Sequence, residues 1–216
     1  MDRYAVITEQ LTRQFGSIVA VDRVSMKIKR GSIYGFLGPN GSGKSTTIRM
    51  LCGILEPTAG SGQVLGFDIV RESEIVKSKI GYMSQKFGLY EDLTILENLQ
   101  FYAGLYNLPK DIYHKRIREM LEMAGLETRQ KQLAGNLSGG WKQRLALGCA
   151  IIHSPAMVFL DEPTGGVDPL SRRMFWDIIY HLASAGTTFM VSTHFMDEAE
   201  HCDELGFIYE GKMIAA

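Results

Sequence analysis

Gly38-Pro39-Asn40-Gly41-Ser42-Gly43-Lys44-Ser45-Thr46 is the stretch from which the rest of the chain is read. Gly38, four further residues and then Gly43-Lys44-Ser45 match the phosphate-binding loop pattern. Backbone N–H groups close on anionic oxygens only where no Cβ intervenes, and the glycines at 38, 41 and 43 supply that freedom. Lys44 adds a point charge suited to the β- and γ-phosphates of a nucleotide, and the Ser45 hydroxyl is of the kind such loops place on Mg²⁺. The motif needs a strand before it and a helix after it. Ile33-Tyr34-Gly35-Phe36-Leu37 reads as a buried strand, and the Thr46, Ile48, Leu51, Leu55 spacing reads as a helix whose N-terminus faces the phosphates.

The chain has 216 residues, 45% of them hydrophobic, enough to bury a sizeable core as one domain or two closely joined lobes. Lys and Arg total 23 against 24 Asp and Glu, so no global field draws a nucleic-acid backbone or an anionic membrane surface. Nucleic acid is therefore not expected as a partner. Cys52, Cys149 and Cys202 lie far apart without metal-type spacing and read as reduced, small core residues. Met1-Asp2-Arg3-Tyr4 lacks the apolar stretch of a signal peptide, and the longest uncharged run, Leu145 to Leu160, is interrupted by His153, Ser154 and Pro155. Any membrane role is expected to come through a partner.

Tyr4 to Gln10 and Val24 to Ile28 alternate apolar and polar residues, with turns at Phe15-Gly16 and Arg30-Gly31, which predicts an N-terminal antiparallel β-layer. Gln63-Val64-Leu65 and Ile80-Gly81-Tyr82-Met83 read as further short strands, the second ending near Gln85. From Thr94 the period becomes helical. Thr94 and Glu97 form a capping box ahead of Ile95, Leu99, Tyr102 and Tyr106, and a second helix runs from about Asp111, with Ile117, Leu121 and Ala124 inward, to a stop at Gly125. Lys86 to Gly135 holds equal numbers of basic and acidic residues and reads as an all-helical insertion with solvated charged faces.

Asn136-Leu137-Ser138-Gly139-Gly140 opens another helix through Lys142-Gln143-Arg144 to Ile152, a second anion-site pattern. Met157-Val158-Phe159-Leu160 closes on Asp161-Glu162, the way a buried strand delivers acids to its carboxyl end. Asp168-Pro169 caps a helix with Phe175, Ile178, Ile179 and Leu182 inward; Thr188 to Ser192 is a strand ending in Thr193-His194; and Phe207-Ile208-Tyr209 with Gly211 predicts a final hairpin.

Phosphate loop, Gln85, Leu137-Ser138-Gly139-Gly140, Asp161-Glu162, Gly166-Val167-Asp168 and His194 occur in the order of an ATP-binding cassette. The chain resembles the nucleotide-binding domain of ABC transporters, particularly of export type, over nearly its whole length. The resemblance implies an α/β fold: a RecA-like core with a mostly parallel sheet, an N-terminal antiparallel β-layer and an inserted α-helical subdomain. It implies one cassette over 1–216, with the RecA-like and antiparallel parts at 1–85 and 155–216 and the helical subdomain at about 86–154.

The resemblance also implies roles. Residues Gly38, Pro39, Asn40, Gly41, Ser42, Gly43, Lys44, Ser45 and Thr46 would hold the phosphates of ATP. Ser45, Gln85 and Asp161 would hold Mg²⁺, a hard cation that takes oxygen ligands. Glu162 would be the general base, with Lys44, Gln85 and His194 completing the catalytic set. Phe15 would stack on adenine. Ser138, Gly139 and Gly140 would meet an ATP held by the opposite subunit, with Asp168 in the turn at the dimer contact, so that two copies sandwich two nucleotides. The segment from Phe87 to Leu105, with Phe87, Leu89 and Tyr90, would face a separate membrane-spanning subunit. The chain would then sit at the cytoplasmic face of the membrane. Two departures stand out: Trp141 replaces the Gln usual after the signature, and Thr164-Gly165-Gly166-Val167 carries an extra glycine. The rival reading, a soluble ABC-type ATPase acting on nucleic acid or the ribosome, would call for a coiled-coil insertion, tandem cassettes or a basic tail. An extension beyond the last hairpin is common among such exporters and would lie outside these 216 residues.

Overall fold

The structure, a computed structural model, describes residues 3–86 and 88–215. Phe87 lies outside the described residues. The chain divides into two units, one of Met1–Tyr82, Ala156–Glu162 and Leu182–Ala216, the other of Met83–Pro155 and Pro163–His181.

The first unit contains two sheets. β1 (Tyr4–Phe15) and β2 (Ile18–Lys29) form a long antiparallel hairpin, with β4 (Ala59–Val64) and β5 (Phe67–Asp68) extending the layer in the order β2-β1-β4-β5. Both hairpin strands outrun the alternation in the sequence. The register shifts between Thr8 and Leu11, beside Gln10 at φ 48°, and Arg23 opposite has φ 50°. Such bulges break the period of two while pairing continues, so the cross-strand pair Leu11 and Val24, with a shift on each side of it, stays fully buried.

The second sheet has the order β10-β9-β3-β8-β7-β6, built from β3 (Ile33–Leu37), β6 (Ile80–Met83), β7 (Met157–Asp161), β8 (Thr188–Thr193), β9 (Glu204–Tyr209) and β10 (Lys212–Ala215). The β3–β8, β3–β9 and β7–β8 pairs are parallel, and β9–β10 is an antiparallel hairpin. Every residue of β3, β7 and β8 is buried, as central parallel strands require. α1 (Lys44–Leu51) ends earlier than its apolar spacing suggests, because Cys52 is the cap and Gly53 takes the left-handed φ of 66° that stops a helix. Leu55 packs on the core from the following loop. α2 (Ser73–Lys79) has no counterpart in the sequence reading; it buries Val76 alone, too little apolar surface to leave a pattern. One core joins both sheets and α1, including Leu11, Ile28, Phe36, Ile48, Leu51, Phe159 and Met190.

The second unit is helical. α3 (Ile95–Leu105) starts at the expected capping box, with the Glu97 N–H donating to Thr94 Oγ1 and the Thr94 N–H to Glu97 Oε2. α4 (Lys110–Ala124) ends at Gly125 with φ 69°. α5 (Gly139–Ile151) is buried at every residue from Gln143 to Ile151, so its apolar residues lack a single-sided stripe. Its last carbonyls are met by Arg116, whose Nη2 donates to Ile151 O and whose Nε donates to Ile152 O. In α6 (Pro169–Ser184), Phe175, Trp176 and Ile179 are buried while Ile178 and Leu182 are only half-buried, and Trp176 fills more of the core than the sequence suggested.

The three cysteines are free thiols, Cys52 and Cys149 buried and Cys202 half-buried. Burial pushes all three thiols up, Cys202 to about 12 with help from the Glu198 and Asp203 charges. A thiol that stays protonated is a poor nucleophile. At pH 8 an aromatic disulfide reagent is expected to leave Cys52 and Cys149 untouched in the native chain and to titrate all three cysteines after denaturation. Rapid native reaction at Cys149 would contradict this packing.

Candidate nucleotide-binding site

β3 runs between β8 and β9 and delivers Gly38 at its carboxyl end, where the Gly38 N–H donates to Thr193 O at 3.3 Å. A Cβ on Gly38 would come within 2.2 Å of Ile208 O and 2.7 Å of Ser42 Oγ, and one on Gly43 within 2.5 Å of Ala20 O. Gly41 and Gly43 have φ of 79° and 105°. The loop therefore closes tightly enough to present main-chain N–H groups to an anion at the start of α1. Lys44 is buried, and its Nζ donates to Gly38 O at 2.8 Å and Pro39 O at 3.1 Å. That holds the ammonium inside the curve of the loop.

β7 brings Asp161 and Glu162 to the same edge. Asp161 is 2% exposed, and its Oδ1 accepts from Ser45 Oγ at 2.9 Å and from Ser192 Oγ at 2.8 Å. Two hydroxyl donors thus meet one oxygen of this buried carboxylate. The Glu162 N–H donates to Ser192 Oγ at 3.0 Å, and Glu162 itself has φ 48°, a left-handed conformation uncommon outside glycine. The turn swings its side chain back toward the phosphate loop, where Oε1 lies 3.1 Å from Lys44 Nζ and Oε2 lies 3.3 Å from His194 Nδ1. Lys44, Ser45, Asp161, Glu162 and His194 are thus brought together, at the start of α1 and at the carboxyl ends of β7 and β8. Ser192 was missed in the sequence. Its signal was the register of two parallel strands that pair Asp161 with Ser192, each strand closing on polar residues.

Phe15, at the end of β1, is exposed over 45% of its surface, with the Arg13 guanidinium 4.5 Å from the ring centroid. Ser45 and Asp161 present hydroxyl and carboxylate oxygens side by side, a donor pair that fits a hard divalent cation. Among the described residues no group of three or more His, Cys, Asp or Glu could hold a metal.

Ser138, Gly139, Gly140 and Asp168 form a separate group within the helical unit. Ser138 occupies the N-cap of α5 without a side-chain hydrogen bond to the helix. A Cβ on Gly140 would fall 2.2 Å from Ser171 Oγ, so glycine lets α5 press on the first turn of α6. Asp168 caps that turn; the Ser171 N–H and hydroxyl hold its carboxyl below the usual range. The Trp141 ring is half-buried, lies 4.2 Å from the Arg144 guanidinium and 5.0 Å from that of Arg129, and would be 3.3 Å from a Cβ added at Gly125. Gln85 also belongs to this unit, exposed in the turn after β6.

The parallel sheet, the glycine loop that opens α1 and the acids at the end of β7 define a nucleotide-binding domain of the P-loop class. The sequence model of the family described as ABC transporter matches residues 21–165, and the chain belongs to that family as its ATP-binding cassette. It is 49% identical over 208 residues to the probable multidrug ABC transporter ATP-binding protein YbhF of Escherichia coli (strain K12), covering 96% of this chain and 36% of that one. It is 39% identical to the linearmycin resistance ATP-binding protein LnrL of Bacillus subtilis (strain 168), covering 96% of this chain and 67% of that one. The chain therefore spans about a third of the length of the first relative. Among solved structures, cbiO1 from Clostridium perfringens, part of the ABC transporter complex cbiONQ, superposes with a TM-score of 0.89 at 28% identity, over 99% of this chain and 88% of that one. The expected fold class stands. No helix among the described residues is long and apolar enough to cross a membrane.

Proposed function

We propose that this chain hydrolyses ATP, dimerises around two ATP molecules and drives export through a separate membrane-spanning subunit, lying at the cytoplasmic face of the membrane. The observation that carries the reading is the meeting of Lys44, Ser45, Asp161, Glu162 and His194 within one unit. The glycine loop binds the phosphates through main-chain N–H groups, and Lys44 leaves Glu162 to neutralise them. Glu162, freed, accepts the proton of the attacking water, and His194, already in reach of the same carboxylate, orients that water and the γ-phosphate. A magnesium ion held by Ser45 and Asp161 would supply charge neutralisation between the phosphates, drawing its remaining ligands from phosphate and water. Gln85 is assigned to that ion, and to catalysis, on its sequence pattern alone.

One relative is named for a probable multidrug ABC transporter and the other for linearmycin resistance, which supports export as the direction of transport. The assignment of 1–85 and 155–216 to the nucleotide-binding part and of about 86–154 to the helical part stays a proposal from the motif order; the two compact units divide the chain differently, with 83–85, 155 and 163–181 grouped with the helices. Leu89 and Tyr90 serve the membrane partner.

Sharing of the site between two copies is tested by mixing. Lys44→Ala and Ser138→Arg chains are each expected to be inactive alone. Their heterodimers carry one composite site spoiled twice and one intact, so activity should reappear. Proven heterodimers with activity no greater than the sum of the separate mutants would overturn the shared site.

A further inference from the structure

Phe15 is a hydrocarbon ring held in a fixed position at a hairpin end, and what holds it is Arg13. The strand's alternation is interrupted between Arg13 and Gln14, and it is the contact itself that puts the two side chains on the same side of β1. The Arg13 Cζ lies 4.5 Å from the Phe15 ring centroid, and its Nη1 donates to Glu56 O at 2.8 Å. Its Nε is buried and meets no hydrogen-bond acceptor among the described residues. The surrounding backbone is braced as well: the Thr58 N–H donates to Thr12 O at 2.8 Å and the Gln14 N–H to Thr58 Oγ1 at 2.8 Å. The hairpin end adjoins the phosphate loop, since Gly43 packs against Ala20 and Val21 of β2. One ring face is thus covered by a cation while 45% of the residue stays open.

We infer that Arg13 is a positioning residue for the nucleobase, an inference that rests on the reading of Phe15 as the base-stacking ring. Tied to the Glu56 carbonyl, the planar guanidinium fixes the ring's orientation before ligand arrives. It also draws the negative π cloud toward the covered face. The open face is then less electron-rich and a better platform for a π-rich base. Arg13 touches neither base nor phosphate in this arrangement; it acts through Phe15.

The test compares Mg-ATP with inorganic triphosphate, which carries the phosphates without a base, by calorimetry and by inhibition of turnover. Arg13→Ala is expected to weaken ATP binding about three- to fivefold, leave triphosphate binding unaltered, and raise KM with little change in kcat. Phe15→Ala should weaken ATP about tenfold, and the double variant should be no weaker than Phe15→Ala alone. Arg13→Lys, which retains a cation, should recover part of the loss, whereas Arg13→Met, which retains only the stem, should not. Loss of triphosphate binding in Arg13→Ala, fully additive losses in the double variant, or normal ATP affinity in Arg13→Ala while Phe15→Ala is weakened would each overturn the role of Arg13 and leave that of Phe15 standing. An unaffected Phe15→Ala would remove the base-stacking reading, and Arg13 with it. If Arg13→Ala does not fold, equal ATP affinity in the Lys and Met variants overturns the proposal.

Discussion

Glu162→Gln is expected to bind Mg-ATP at least as tightly as the parent chain, to accumulate as a nucleotide-bound dimer, and to turn over at least roughly 10²-fold more slowly. The isosteric amide keeps the size of the side chain and takes away its basicity. It also takes away a competitor. In the structure the Glu162 carboxylate lies 3.1 Å from Lys44 Nζ, with both side chains largely buried, so an incoming triphosphate has to displace it. A neutral amide holds the ammonium less strongly, which sets the direction of the affinity change. Phosphate release measured beside equilibrium binding separates the two effects. Turnover close to the parent value would remove Glu162 from the role of base; weakened binding would mean that the pair with Lys44 shapes the loop rather than competing with nucleotide.

Gly38→Ala should be nearly as damaging to kcat/KM, with a loss of roughly 10²-fold, for a reason unrelated to charge. Its Cβ would sit 2.2 Å from Ile208 O, a main-chain atom of β9 that cannot step aside without moving the strand. The loop must shift instead, and a displacement of about 1 Å is enough to misplace its donors. Gly41→Ala is the control: φ is 79° there, yet nothing lies within 4 Å of the added carbon. The backbone strain of about 1–2 kcal/mol should lower the melting temperature while leaving kcat/KM within about tenfold of the parent. Equal kinetic losses in the two variants would defeat the steric account of Gly38.

The strand, glycine loop and helix around Gly38 to Thr46 were legible in the sequence because each rests on local chemistry: an apolar run, missing Cβ atoms, and helical spacing after Lys44. The same holds for the Thr94 capping box, the Gly125 stop and the Asp161-Glu162 pair at the end of an apolar strand. The sequence by itself therefore determined which residues form the phosphate loop and which acids accompany it, since spacing along the chain carries that information. What only the tertiary structure decided is how those groups meet. The partnership of Asp161 with Ser192 depends on parallel register between β7 and β8, and its partnership with Ser45 on the placing of α1 beside β7, long-range relations that leave no mark within any one element. The left-handed turn at Glu162 that aims its carboxylate at Lys44 and His194, like the bulges that carry the β1–β2 hairpin out to Phe15, are backbone conformations imposed by packing on residues with no intrinsic preference for them.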